Sequence, residues 1–188
     1  MLLFCIIGFV TIGFIGALLH FVYDWLKHNS HVSLFVAVNE STWEHLKLAM
    51  LPTFVWAIVG LFFRFPNYAF AVFIVLTVIC VMIPSVFYTY TSITKKPILA
   101  VDISSFFIAI MLAMFLCYRI MSAGEFAPAF RYVGIIGTCF FALSFLLFTY
   151  FPPHIFLFRD PITNKYGRAG HSDDERFGNV STKEEKED

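Results

Sequence analysis

The chain has 188 residues, of which 59% are apolar, 19% aromatic and only 14% charged, and its 13 Lys and Arg balance 13 Asp and Glu. A soluble domain is about 45–50% apolar and about 25% charged, and a chain this short has too little interior to hide such a surplus, so the excess is expected to face lipid. That composition excludes a soluble enzyme and a disordered protein, and a neutral chain with no basic surface to meet phosphates excludes a nucleic-acid binder.

Crossing about 30 Å of hydrocarbon takes about 20 mainly apolar residues in a helix, and five segments are long enough. The first runs from Met1 to Tyr23 and closes at Asp24. The second runs from Trp43 to Phe63, with Glu44, His45 and Lys47 intruding on its first turn. The third covers Tyr68 to Tyr90, the fourth Pro97 to Tyr118, and the fifth Tyr132 to Phe151, ending at Pro152-Pro153. Barrel strands are excluded because the segments are too long and do not alternate. The fold expected is therefore all-α, a polytopic membrane helix bundle of five transmembrane helices. It spans residues 1–170 and is followed by a solvated acidic tail, 171–188, that holds seven acids against three bases.

The first segment has no basic residue before its apolar run and no small-residue cleavage site, so it reads as a span and not as a signal peptide. Five spans put the termini on opposite sides. Side A, which holds the first loop, the third-to-fourth turn and the tail, carries Lys27, Lys47, Lys95, Lys96, Arg159, Lys165 and Arg168 near helix ends; side B carries Arg64, Arg119 and Arg131. Positive residues favour the cytoplasm, which orients a multi-pass cell-membrane protein with its N-terminus outside and its C-terminus inside. Trp25 and Trp43 flank the first loop as interfacial rings, Trp56 packs between helices, and short connections favour sequence neighbours packed antiparallel. Pro52 and Pro84 are expected to kink their helices. Gly13-x-x-x-Ala17 and Gly134-x-x-x-Thr138 are close-approach pairs, and Cys5, Cys80, Cys117 and Cys139 are small buried residues without a C-x-x-C spacing.

The rare polar residues collect on side A. His20 and Asp24 end the first helix; Glu40, Ser41, Glu44 and His45 open the second; Asp102 lies just inside the fourth; His154 and Asp160 follow the fifth. His20 lies about 6 Å inside Asp24, and Asp102 about 7.5 Å inside Pro97. A charge at that depth normally turns into the bundle. His20 and Asp24 share a helix face at i, i+4, so His20, His45 and His154 with Asp24 or Asp102 have the composition of a catalytic zinc site, with Glu40 or Glu44 as general base. The plainer reading is structural. Ser41-x-x-Glu44 fits a capping box, Asp24 ends a span, His45 and His154 are interfacial or loop residues, and Asp102 pairs with Lys47, Lys95 or Lys96. His28 and His31 lie in a polar loop. There is no P-loop, G-x-G-x-x-G or G-x-S-x-G.

The run Leu19-His20-Phe21-Val22-Tyr23-Asp24-Trp25, the block Val38-Asn39-Glu40-Ser41-Thr42-Trp43-Glu44-His45, and Phe151-Pro152-Pro153-His154 followed by Arg159-Asp160-Pro161 and Tyr166-Gly167 together resemble a family of small polytopic bacterial membrane proteins of unknown function. The resemblance covers roughly Gly16 to Gly167 and implies an integral membrane protein without supplying an activity. A looser likeness, of site chemistry alone, is to ceramidase-like membrane hydrolases, which gather three His, an Asp and a Ser around zinc; this chain has five spans where they have seven and lacks their paired His in a late helix. Three functions fit the polar face: a metal-dependent hydrolase of lipid-like amides or esters in the bilayer, a small transporter or proton-coupled permease, and a non-catalytic subunit or assembly factor that docks a partner.

Overall fold

A computed structural model describes residues 1–25, 37, 39, 41–160 and 164–167, with the side chains of residues 23–25 set aside. Five helices carry it: α1 (Leu2–Trp25), α2 (Thr42–Gly60), α3 (Tyr68–Thr94), α4 (Leu99–Met121) and α5 (Pro128–Tyr150), with single 3₁₀ turns at Leu61–Phe63 and Phe156–Phe158. All five are long and apolar enough to cross a membrane, and no strand occurs among the described residues. The expected spans are all present. Their ends shift by up to four residues, at the end of α3 and at the start of α5, where Pro128 supplies the preset φ of a first helical position. The acidic tail, His28 and His31 lie outside the described residues.

The bundle is centred on α2. Half of its apolar stretch is buried, against 22–28% in the other four helices. Those four leave large apolar side chains such as Phe14, Met111, Phe115, Ile136 and Phe140 exposed, as a surface matched to lipid does. α1 packs on α2 and α4, and α3 packs on α2, α4 and α5. The last helix therefore departs from sequence-neighbour packing, because α5 lies against α3 and not against α4. Gly134 accounts for this: a Cβ there would collide with the backbone of Ala69 and Phe70 in α3, so only glycine permits this approach. Gly13 likewise faces the Phe107 ring of α4.

α2 continues through Pro52 without breaking. Proline has no N–H to offer the Leu48 carbonyl one turn back, and that carbonyl instead faces Gly16 of α1, where a Cβ would lie only 2.6 Å from its oxygen. The proline and the glycine thus form one feature on two helices.

Contacts between helix ends fix the threading. At one end, α1 meets α2 through His20 and His45, α2 meets α3 through Thr42 and Tyr88, α3 meets α4 through Tyr90 and Asp102, and α2 meets the end of α5 through Trp43 and Phe148. This is side A. The opposite end is aromatic: Phe4 stacks on Trp56 with centroids 4.5 Å apart and touches Phe63, Phe65 and Tyr68, while Asn67 reaches the Ile120 and Gly124 carbonyls at 3.1 and 3.0 Å. Trp56 packs between helices as expected. Trp43 does not sit as an exposed interfacial ring; it is buried between Phe148 and Phe158, with centroids 5.5 and 4.9 Å away.

Candidate functional site

The site is built on the first turn of α2. Ser41 is its N-cap, in an extended conformation, and its hydroxyl accepts the Glu44 N–H at 3.4 Å. That is half of the expected capping box. The reciprocal half comes from Asn39, whose carboxamide oxygen accepts the Ser41 N–H at 2.9 Å, an Asx turn two residues long. The same Asn39 donates to the Gly167 carbonyl at 2.8 Å and so pins the segment after α5 to the start of α2. Gly167 stands at φ +57°, a left-handed conformation that suits glycine.

With Asn39 in that role, the Glu44 side chain turns to Lys47 one turn along, Oε2 to Nζ 2.8 Å, and both side chains are buried, at 3% and 0% exposure. Lys47 is the largest fully buried side chain among the described residues. This corrects the pairing expected of Asp102. Lys47 goes to Glu44 of its own helix, and Asp102 accepts the Tyr90 hydroxyl at 2.6 Å, while that hydroxyl in turn accepts the Ile98 N–H at 3.0 Å.

His45 points the other way around α2. Its Nδ1 lies 3.0 Å from the Ser41 carbonyl. In the tautomer with its proton on Nδ1, His45 donates that bond to the carbonyl. His20 comes from α1 to face it, with ring centroids 5.5 Å apart and planes tilted by 35°. His154 lies on the segment after α5, its ring 4.5 Å from that of Tyr166. Nearby, the Asp160 N–H donates to the Lys165 carbonyl and closes a small loop in which Asp160 is buried.

Of the residues expected to form one site, the structure brings His20 and His45 together, with the Ser41 carbonyl on His45, and turns the Glu44 side chain to Lys47. It holds Asp102 on Tyr90 and His154 on Tyr166. Glu40 and the side chain of Asp24 lie outside the described residues. No group of three His, Cys, Asp or Glu able to hold a metal ion occurs among the described residues. Sequence reasoning missed Asn39 and the role of Lys47. The i, i+3 spacing to Glu44 was the available signal for Lys47. Asn39 could have been found from its place two residues before a helix cap.

A family model described as a family of unknown function, DUF6512, matches residues 3–168. The chain belongs to that family. The match covers all five helices of this DUF6512 chain and ends just past Gly167, so the Asn39–Gly167 tie falls inside it. No curated protein and no solved structure matches the chain, and the likeness to ceramidase-like hydrolases gains no support from these comparisons.

Proposed function

We propose that the side-A end of the bundle is the active site of a metal-dependent membrane hydrolase acting on lipid-like amides or esters. The observation that carries this reading is the imidazole pair of His20 and His45, presented by two helices with centroids 5.5 Å apart. Two imidazoles bound to one tetrahedral zinc at about 2.0–2.1 Å have centroids roughly 5 Å apart. The bond from His45 Nδ1 to a backbone carbonyl is also the outer support that metal-bound histidines commonly have. Asp24, one helical turn beyond His20, is the third ligand in this reading, with Asp102 and His154 the other expected donors. A zinc ion held there would polarise the scissile carbonyl and activate water. Glu44 or Glu40 would take a proton from the water as its oxygen bonds the carbonyl carbon, and would return that proton to the departing amine or alcohol as the C–N or C–O bond breaks, giving a carboxylic acid and an amine or alcohol. Lys47 keeps Glu44 oriented. The excess of Lys and Arg at side A supports a site at the cytoplasmic face, with the N-terminus outside.

The test is hydrolysis of a panel of long-chain amides and esters by the purified, zinc-loaded protein. Release of fatty acid is expected, with His20→Ala and His45→Ala each lowering it at least a hundredfold. A second reading, a proton-coupled permease, rests on the buried Glu44–Lys47 pair, since ionisable groups inside a span commonly mark relays. Proteoliposome uptake abolished by Glu44→Gln, with no hydrolysis, would favour it instead.

A further inference from the structure

Between α3 and α4, on the side-A half of the bundle, an open groove of about 380 Å³ is lined by Met82 and Val86 of α3 and by Ala100, Val101, Ser104 and Ile108 of α4. The α4 residues recur at one-turn intervals and form a single face. The small side chains of Ala100 and Ser104 leave the space, and the larger ones form its walls. Ser105 also lines the groove, and its hydroxyl turns back on its own helix, donating to the Asp102 carbonyl at 2.9 Å. From Ala100 to Ile108 the groove runs about 12 Å along α4.

The turn that joins these two helices carries Lys95 and Lys96, both exposed. It is well ordered: the Lys95 N–H caps α3 by donating to the Thr91 carbonyl at 2.9 Å, and the Thr94 hydroxyl donates to the Lys96 carbonyl at 2.8 Å. Asp102, the acid nearest in sequence, is engaged by the Tyr90 hydroxyl. Two cations, of which Lys95 donates one bond from Nζ to the Ser92 carbonyl at 2.5 Å, therefore stand at the membrane-surface end of an apolar groove with one committed acid nearby.

We infer that this groove binds an anionic phospholipid, one acyl chain lying along Ala100, Ser104 and Ile108 and the phosphate headgroup meeting Lys95 and Lys96. The site is separate from the His20–His45 pair and does not depend on the hydrolase reading. Native mass spectrometry of the full chain, released from micelles containing equal phosphatidylglycerol and phosphatidylcholine, tests it. The wild type is expected to retain phosphatidylglycerol over phosphatidylcholine by roughly tenfold. Lys95→Asn with Lys96→Gln should bring that ratio close to one while phosphatidylcholine retention is unchanged; asparagine suits the left-handed conformation of position 95. Ala100→Leu with Ser104→Leu should abolish retention of both lipids with the helical content intact, and Ser104→Leu alone serves if the pair does not fold. An unchanged ratio in the lysine variant overturns the inference, as does lipid retention indifferent to the leucines. Displacement of the lipid by millimolar inorganic phosphate, or a dimer that the leucines dissolve, equally overturns it.

Discussion

Lys47 is wholly buried, three residues from a buried glutamate, inside a helix apolar enough to cross a membrane. Removing one partner of a buried ion pair typically costs about 3–5 kcal/mol, whereas replacing both partners with apolar residues is often neutral. Lys47→Met should therefore lower unfolding stability in detergent by about that amount, and Glu44→Leu with Lys47→Met should recover most of it. Chemical denaturation followed by circular dichroism reads both. A Lys47→Met variant as stable as the wild type would show that the pair is not structural. Asn39 acts at the same scale through its two bonds, and Asn39→Ala should loosen the segment after α5, seen as faster proteolysis near Gly167. The sequence indicated Ser41 as a cap correctly. It left the partners of Glu44 and Asp102 open, because a span end offers several cations within reach and only geometry chooses among them.

At the scale of elements, two close approaches hold the bundle. Gly134 lets α5 touch the α3 backbone, and Gly16 leaves room for the Leu48 carbonyl that Pro52 does not satisfy. Gly134→Leu and Gly16→Ala should each lower the midpoint of thermal unfolding in detergent, since overpacking a tight contact costs about 1–3 kcal/mol. Gly124→Ala, where a Cβ would meet nothing within 4 Å, should leave it unchanged. The Gly134 pair was legible as a packing signal, but the helix it packs against was not. Lipid and protein interior are equally apolar, so hydropathy says little about which face of a span meets another helix. The second segment shows the reverse case: its charges made it the weakest span by sequence, and they are buried because α2 is the central helix.

For the whole molecule, the five spans and the gathering of polar residues at one end followed from chain threading alone, and His20 and His45 meet there as that threading requires. The closure of that end by the segment after α5 was not legible, since it depends on Asn39, Trp43 and Phe158 meeting across more than a hundred residues of chain. The side assignment predicts that a reporter fused to the C-terminus is active only in the cytoplasm, and a fusion active only outside would reverse it. Metal analysis of the full-length protein purified in detergent and equilibrated with zinc tests the proposed chemistry most directly. About one zinc per chain is expected, lost in both His20→Ala and His45→Ala while the helical content is preserved. Wild-type protein that stays metal-free, or zinc that persists in both variants, would contradict the proposal.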